Sequence, residues 1–563
     1  MNFANRKINL LLAALLICAA PATAQKKHGK VGSIWGGGGS VTLPTTLTAP
    51  GVVQVSIDCG GSVLTNCFKV AGDVRVTADC ATTNLSATIT SATANFTNAD
   101  IGKFIFCINR TNGAAVQRGT VLSVQSATSL TSSANSAATV TGATMELGTD
   151  DAPNFKAAYT AAIAANKGIA IPCGVFFLDS NSPVFDATSG TGYSQHYSLS
   201  GCSAGGTNST TFIIGPDLED LGGDLVVKMP IVSPDGPFPL WTHGSSFDVS
   251  NFQITGLSYK SPATYNVIEA IRARNIRIYD TNSSNAAGCF DIGVFSNFPG
   301  EQNYDRINIQ TTNGGLIGNN CNAVFISQST NPITSPAQGD NVLSDSVIAY
   351  ISGFGVQCLT NGTGFACDLR NDYFLNVGSN SGTFTDMLQC VNTSVCNIEG
   401  GYYGLSAPTT QPFADFSNDS TSVINMDNVL VSQGGVSSFV FNGAGGVFKV
   451  RNSIFRGLTA ADVFSTNLPK FYVEDGNSFS VLPTTNVPTY IVTSSEAGTG
   501  TCASNAAPIT FKGTYLAAPI VTISPNTSAS TGDQITAATT TTATVHCNGA
   551  TDAFNFTVTP NPF

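Results

Sequence analysis

The acid–base chemistry of this chain concentrates between positions 277 and 345. Arg277, Asp280, Asp291, Glu301, Asp305, Arg306, Asp340 and Asp345 fall there. Two carboxylates at a fixed separation can serve as acid and as base or nucleophile across a glycosidic bond. An arginine can instead abstract a proton from a uronic acid and start an elimination. Catalytic roles are therefore assigned to Asp291, Glu301, Asp305, Asp340, Arg277 and Arg306. Substrate binding is assigned to Asp345, Trp241 and His243, the indole of Trp241 offering a face on which a sugar ring can stack. Each has a plainer reading too. Asp291, Asp305 and Asp345 suit turns or a solvated face, Arg306 an ordinary surface pair, Trp241 packing, and His243 a satisfied surface histidine.

Chemistry of this kind needs rigid supports, and the sequence supplies them as an imperfect repeat from about 169 to 481. One strand type opens near Asn or another turn-former: Asn251-Phe252-Gln253-Ile254, Asn275-Ile276-Arg277-Ile278, Arg306-Ile307-Asn308-Ile309, Asn397-Ile398-Glu399, Asn428-Val429-Leu430-Val431 and Asn452-Ser453-Ile454-Phe455. A second type runs Phe290-Asp291-Ile292, Ala323 to Ile326, Gly355 to Cys358, Met387 to Cys390 and Phe439 to Phe441. Most successive starts lie one turn of a β-solenoid apart. Strand alternation turns Arg277 and Asp291 outward between aliphatic neighbours. Asn suits the corners because it tolerates left-handed backbone. Variable loops at 296–303, 328–341 and 359–367 leave adjacent coils after the second strand type, so they stand side by side and wall a groove.

A solenoid must be plugged at its open end, where backbone and apolar core are otherwise exposed. The stretch 148–179 is built for that. Asp150 and Asp151 can accept from the N–H groups of a helix start, and Pro153 suits its first turn. Phe155, Tyr159, Ala162 and Ile163 make one apolar stripe, and Lys167-Gly168 ends it. A strand with a Pro172-Cys173-Gly174 turn follows. This stretch resembles the opening of the pectate-lyase superfamily domain, matched at Thr149, Asp150, Asp151, Ala157, Ala158, Ile163, Ala164, Pro172 and Gly174. Phe155 stands for the family's usual aliphatic residue, and Val175-Phe176 for its tyrosine. The resemblance implies an all-β protein, a right-handed parallel β-helix with an N-terminal capping helix. It also implies a polysaccharide-degrading enzyme, hydrolase or lyase, needing no cofactor unless a lyase uses calcium. The N-T-D, G-H-G and R-I-K signatures of the polygalacturonases in that superfamily do not occur. A non-catalytic, adhesin-type protein displaying the same groove is the alternative.

The remaining chain divides by composition. Residues 1–24 read as a secretory signal: Arg6 and Lys7, an apolar run from Ile8 to Ala20, and Ala22-Thr23-Ala24 before Gln25. That run is too short to span a membrane, and no later one is long and apolar enough. The expected location is secreted, extracellular or at the cell surface. Residues 25–51 are a Gly/Thr/Pro linker, 52–147 a small β module, 148–483 the β-helix, 484–501 a second linker, and 502–563 a β-sandwich. Residues 94–102 and 120–130 resemble the small module placed before β-helices in phage tail proteins. Residues 509–525 resemble the opening of lectin-like sandwiches. A homotrimer, glycan binding and plain capping are all open for that terminal domain.

Only 10% of residues are charged, and the net charge is −11. Nucleic acid is excluded as a partner on that balance; a polysaccharide or cell-surface glycan is expected. A highly anionic glycan requires a local basic groove. Fourteen cysteines follow the signal, an even number that fits an oxidising compartment. The nearest-neighbour set is Cys59/Cys67, Cys80/Cys107, Cys173/Cys202, Cys289/Cys321, Cys358/Cys367, Cys390/Cys396 and Cys502/Cys547, with Cys173/Cys202 and Cys289/Cys321 on stacked strands.

Overall fold

The computed structural model describes residues 52–56, 67–219 with short breaks, the strands and bends of a solenoid from 226 to 492, and 495–560 with short breaks. Outside them lie residues 1–51, Trp241, His243, Glu301, Cys59, Cys289, Cys321 and most of the loops at 296–303, 328–341 and 359–367. The fold is a right-handed parallel β-helix carrying one capping helix, an N-terminal β module and a C-terminal β-sandwich.

Each coil contributes to two parallel ladders. One is a ten-stranded sheet running from Phe185–Asp186 through Asp291–Val294 and Leu388–Val391 to Val463–Phe464. The other is bent: its strands turn a corner at one left-handed residue per coil. Asn251, Asn275, Arg306, Asp345, Asn371, Gly400, Asn428 and Asn452 all hold positive φ and stack in register. Asn and Gly suffer least in that conformation, which is why they predominate in the column. Asn397, read from the sequence as a corner, sits three residues before the true corner, Gly400.

Alternation about the corner sorts the side chains. Val249, Ala273, Tyr304, Leu343, Leu369, Ile398, Met426 and Val450 stack inward as one column of the continuous core. The position just after the corner also points inward, and it turns polar in several coils. Ser346 Oγ accepts from the Ile307 N–H (3.0 Å), Asp372 Oδ1 from the Ser346 N–H (2.9 Å), and Ser453 Oγ from the Val429 N–H (3.1 Å). Asn477 Oδ1 continues this by accepting from the Ser453 N–H. A corner breaks the regular ladder, so a side chain from the next coil satisfies the amide that would be orphaned. Burial pushes the Asp372 carboxyl up to about 8, so it is protonated at neutral pH.

The N-terminal boundary differs from the sequence reading. Val52–Ser56 pairs in parallel with Gly168–Ala170 and with Cys67–Lys69, so these strands belong to the solenoid. The β module is shorter, a closed antiparallel barrel of six strands from Arg75 to Gly148, inserted between that first coil and the capping helix. Its two ends meet on one strand, Asp73 beside Val175 and Asp150 beside Phe177. Local patterning could not show this, because it depends on pairing over a hundred residues apart.

The helix Ala152–Ala165 plugs the end as expected. Phe155 is fully buried, edge-on to Phe176, Phe185 and Phe212. The Thr149-Asp150-Asp151 run does more than cap it. Thr149 donates to Asp73, Asp150 Oδ1 accepts from the Ala152 and Asp179 amides, and Asp151 accepts from those of Ala71 and Gly72. The motif thus ties first coil, barrel and cap together, and burial raises Asp151 to about 6.

At the far end, Tyr490–Val492 is the last solenoid strand and Glu496–Thr501 the first of the sandwich, so two strands fall within the supposed linker 484–501. The sandwich is two three-stranded antiparallel sheets. Disulfides join Cys80 to Cys107, Cys173 to Cys202, and Cys502 to Cys547; Cys67 and Cys367 are disulfide-bonded as well. Cys173 and Cys202 lie in turns beyond their strands, so their bridge links corners of stacked coils. The expected Cys390/Cys396 bridge is not formed: Cys396 is a buried thiol on the bent sheet, while Cys390 lies in the ten-stranded sheet opposite Cys358.

Candidate functional site

The solenoid separates the residues that the sequence reading grouped. Asp291 lies in the ten-stranded sheet, whereas Arg277, Asp305, Arg306, Asp340 and Asp345 lie on the bent sheet or its corner. Arg306 and Asp345 occupy consecutive corners. Asp305 is brought together with Arg306 (3.1 Å) and Arg274 (3.4 Å), and it accepts from the Ser344 hydroxyl (3.2 Å). Arg277 is on the other side of the corner, its guanidinium 4.5 Å from the centre of the Tyr279 ring. Asp340 enters its strand opposite Ala366.

A concave site appears further along, on the outward face just before the corner. It is a groove of about 410 Å³ across four coils. Each coil presents the same short pattern there, polar, aliphatic, charged, then the left-handed residue. The triplets are Asp368-Leu369-Arg370, Asn397-Ile398-Glu399, Asn425-Met426-Asp427 and Lys449-Val450-Arg451. Alternation buries the middle residue and sends the outer two into the groove. The signal was present in the sequence. It went unread because the polar residues that stacking brings together, Asp368 with Asn397 and Asn397 with Asn425, are 29 and 28 residues apart in the chain.

Most polar groups in this groove are committed to one another. Arg370 donates to Asp368 Oδ2 (2.6 Å), Asn397 to Asp368 Oδ1 (2.7 Å), and Asn425 to Asn397 Oδ1 (2.8 Å). Asp427 is clamped by Arg451 (2.8 Å) and Asn452 (3.2 Å). The Glu399 carboxylate and the Lys449 ammonium take no partner among the described residues. Glu399 and Asp427 occupy one column on adjacent coils, so their Cα atoms are ~4.8 Å apart. Side chains of that length, rooted so close, can set their carboxyl groups at the ~5–9.5 Å separations that glycoside hydrolysis uses. Around the corner Tyr373 and Tyr402 stack at 5.0 Å, with Tyr373 exposed.

Among the described residues no group of three or more His, Cys, Asp or Glu is placed to hold a metal ion. No helix there is long and apolar enough to cross a membrane.

No protein-family model matches the sequence, and no curated protein does. Solved structures do. The tailspike of Pseudomonas phage phi297 is 11% identical over 87% of this chain and 82% of its own, with a TM-score of 0.32. The tailspike of Acinetobacter baumannii bacteriophage AP22, solved with a capsular saccharide of its host species, is 10% identical over 86% and 83%, at 0.28. The Agl-KA catalytic domain is 11% identical over 75% and 87%, at 0.33. These superpositions are loose, and no residue of this chain takes a role from them.

Proposed function

We propose that this protein is an exported, glycan-cleaving β-helix enzyme of pectate-lyase-like style, acting by hydrolysis in the groove of Asp368 to Arg451. The observation that carries the reading is the unequal pair on adjacent coils, Glu399 without a partner among the described residues and Asp427 clamped by Arg451 and Asn452. Glu399 is able to swing onto a glycosidic oxygen and give it a proton. Asp427, fixed in place, takes a proton from the attacking water or attacks the anomeric carbon itself. Either route breaks one C–O bond and adds the elements of water across it. Rigid strands hold both groups, as a catalytic pair requires.

The test is a screen of neutral and uronic-acid polysaccharides, read by reducing ends and by the ultraviolet absorbance of unsaturated products. Reducing ends without the absorbance are expected. Both signals together would replace hydrolysis with elimination and bring calcium dependence into question. Binding without either signal would move the protein to the adhesin class.

A further inference from the structure

The groove is lined by three cations, and the fold spends two of them. Arg370 donates to Asp368 (2.6 Å) and Arg451 pairs with Asp427 (2.8 Å), so each guanidinium already faces a carboxylate. Lys449 is the third. It is exposed at the groove wall, and its ammonium takes no partner among the described residues. Its column makes this notable. The same position in the three preceding coils holds Asp368, Asn397 and Asn425, which hydrogen-bond to one another as a ladder. Another amide would extend that ladder. A lysine ends it on an open positive charge.

Lys449 lies one coil beyond Asp427 and two beyond Glu399, so it is rooted ~10 Å from Glu399 along the stack and ~7 Å across it. The groove crosses four coils, and a glycan lying in it runs along the stack. A pyranose unit is about as long as one coil is tall. A chain cleaved between Glu399 and Asp427 therefore sets a sugar close to the broken bond against Lys449.

Charge decides what that sugar carries. With the two arginine–aspartate pairs balanced, the open groups of the groove are one ammonium and the Glu399 carboxyl. A lysine is a compact point charge, and one carboxylate matches it. A phosphate monoester, at about −1.5 to −2, would be left half-neutralised. A polyuronate brings a carboxylate on every sugar. It would find no second open cation among the described groove residues, and the net charge of −11 opposes it over longer range.

We infer that Lys449 sets the substrate class: a heteroglycan whose uronic acids are isolated among neutral sugars, with one uronate carboxylate held by Lys449 beside the point of cleavage. The inference rests on the hydrolytic reading of the groove and adds the substrate to it.

The experiment uses the full chain and octasaccharides of gellan, hyaluronan and polygalacturonate, which carry a carboxylate on every fourth, every second and every sugar. Each is paired with its carboxyl-reduced form. Binding is read by calorimetry and cleavage by reducing ends. The gellan or the hyaluronan probe is expected to bind about tenfold or more tightly than its reduced form, the worth of one charged hydrogen bond. Lys449→Met should erase that ratio and Lys449→Arg should keep it, while the reduced forms bind all three proteins alike. The inference is overturned if no probe binds, if native and reduced forms bind equally, if the preference survives Lys449→Met, or if polygalacturonate binds tightest. Binding that depends on Lys449 but yields no reducing ends would support the carboxylate site and sink the hydrolytic reading. Cleavage with a preference that Lys449→Met leaves intact would do the reverse.

Discussion

Two columns of the same strands, one inward and one outward, spend their polar residues in opposite ways. Just after the corner, Ser346, Asp372, Ser453 and Asn477 point inward, and each is committed to a backbone amide of the preceding coil. Just before it, Arg370, Glu399, Asp427 and Arg451 point outward into the groove, and Glu399 is committed to nothing described. The inner column holds the bend; the outer one is relieved of that duty. A residue that the fold does not need is one that chemistry can use.

The sharpest way to break this contrast is on neighbouring residues of one strand. Ile398→Ala should cost about 2–5 kcal/mol through lost burial and a cavity in the core. Glu399→Ala, the next residue, should stay within about 0.5 kcal/mol. Denaturant midpoints of both variants decide it. A large loss from Glu399→Ala would make that side chain structural and remove it from the proposed pair.

Asp372 supplies the next test. Its folded carboxyl is raised to about 8, whereas an exposed aspartate titrates near 4. Between those values the native state holds a proton that the unfolded chain releases, so stability falls as pH rises through that window. The loss should reach a few kcal/mol by pH 9. Asp372→Asn keeps an oxygen for the Ser346 amide and should flatten the dependence, leaving the variant more stable than wild type at pH 9. Parallel curves for the two proteins at pH 5, 7 and 9 would show that Asp372 is ionised in the fold.

A smaller effect is expected at the corner itself. Asn371 holds φ of 56°, and Gly400 serves the same place in the next coil. Asn371→Gly should be nearly neutral, while Asn371→Val should cost about 1–2 kcal/mol from the left-handed backbone. Equal melting temperatures for the two would mean that the corner is not held by conformational preference.

Much of this architecture could be read from residues. The corners at Asn251, Asn275, Asn428 and Asn452 were legible because few residue types tolerate that backbone, and the one at Arg306 from the alternating strand Ile307-Asn308-Ile309 that follows it. The apolar stripe of the capping helix was legible from its period. The parallel strand Val52–Ser56 was not, since its partners are the short strand Cys67–Lys69 and Gly168–Ala170, beyond the whole barrel. The groove was missed for the same physical reason. Local density of acids drew attention to 277–345, where the structure puts Asp291 on another sheet and ties Asp305 to Arg274 and Arg306. Stacking, which no local pattern states, assembled Asp368, Glu399 and Asp427 instead.

The central claim is that the unequal carboxylates of the groove cleave a glycan. Its most direct test is turnover of Glu399→Gln and Asp427→Asn on the polysaccharide that the wild type degrades, with binding measured on the same samples. Both substitutions keep shape and hydrogen-bonding capacity while removing a proton-transfer group. The account predicts that kcat falls about 100-fold or more for each, with affinity and melting temperature preserved. Turnover at the wild-type rate in either variant would contradict it.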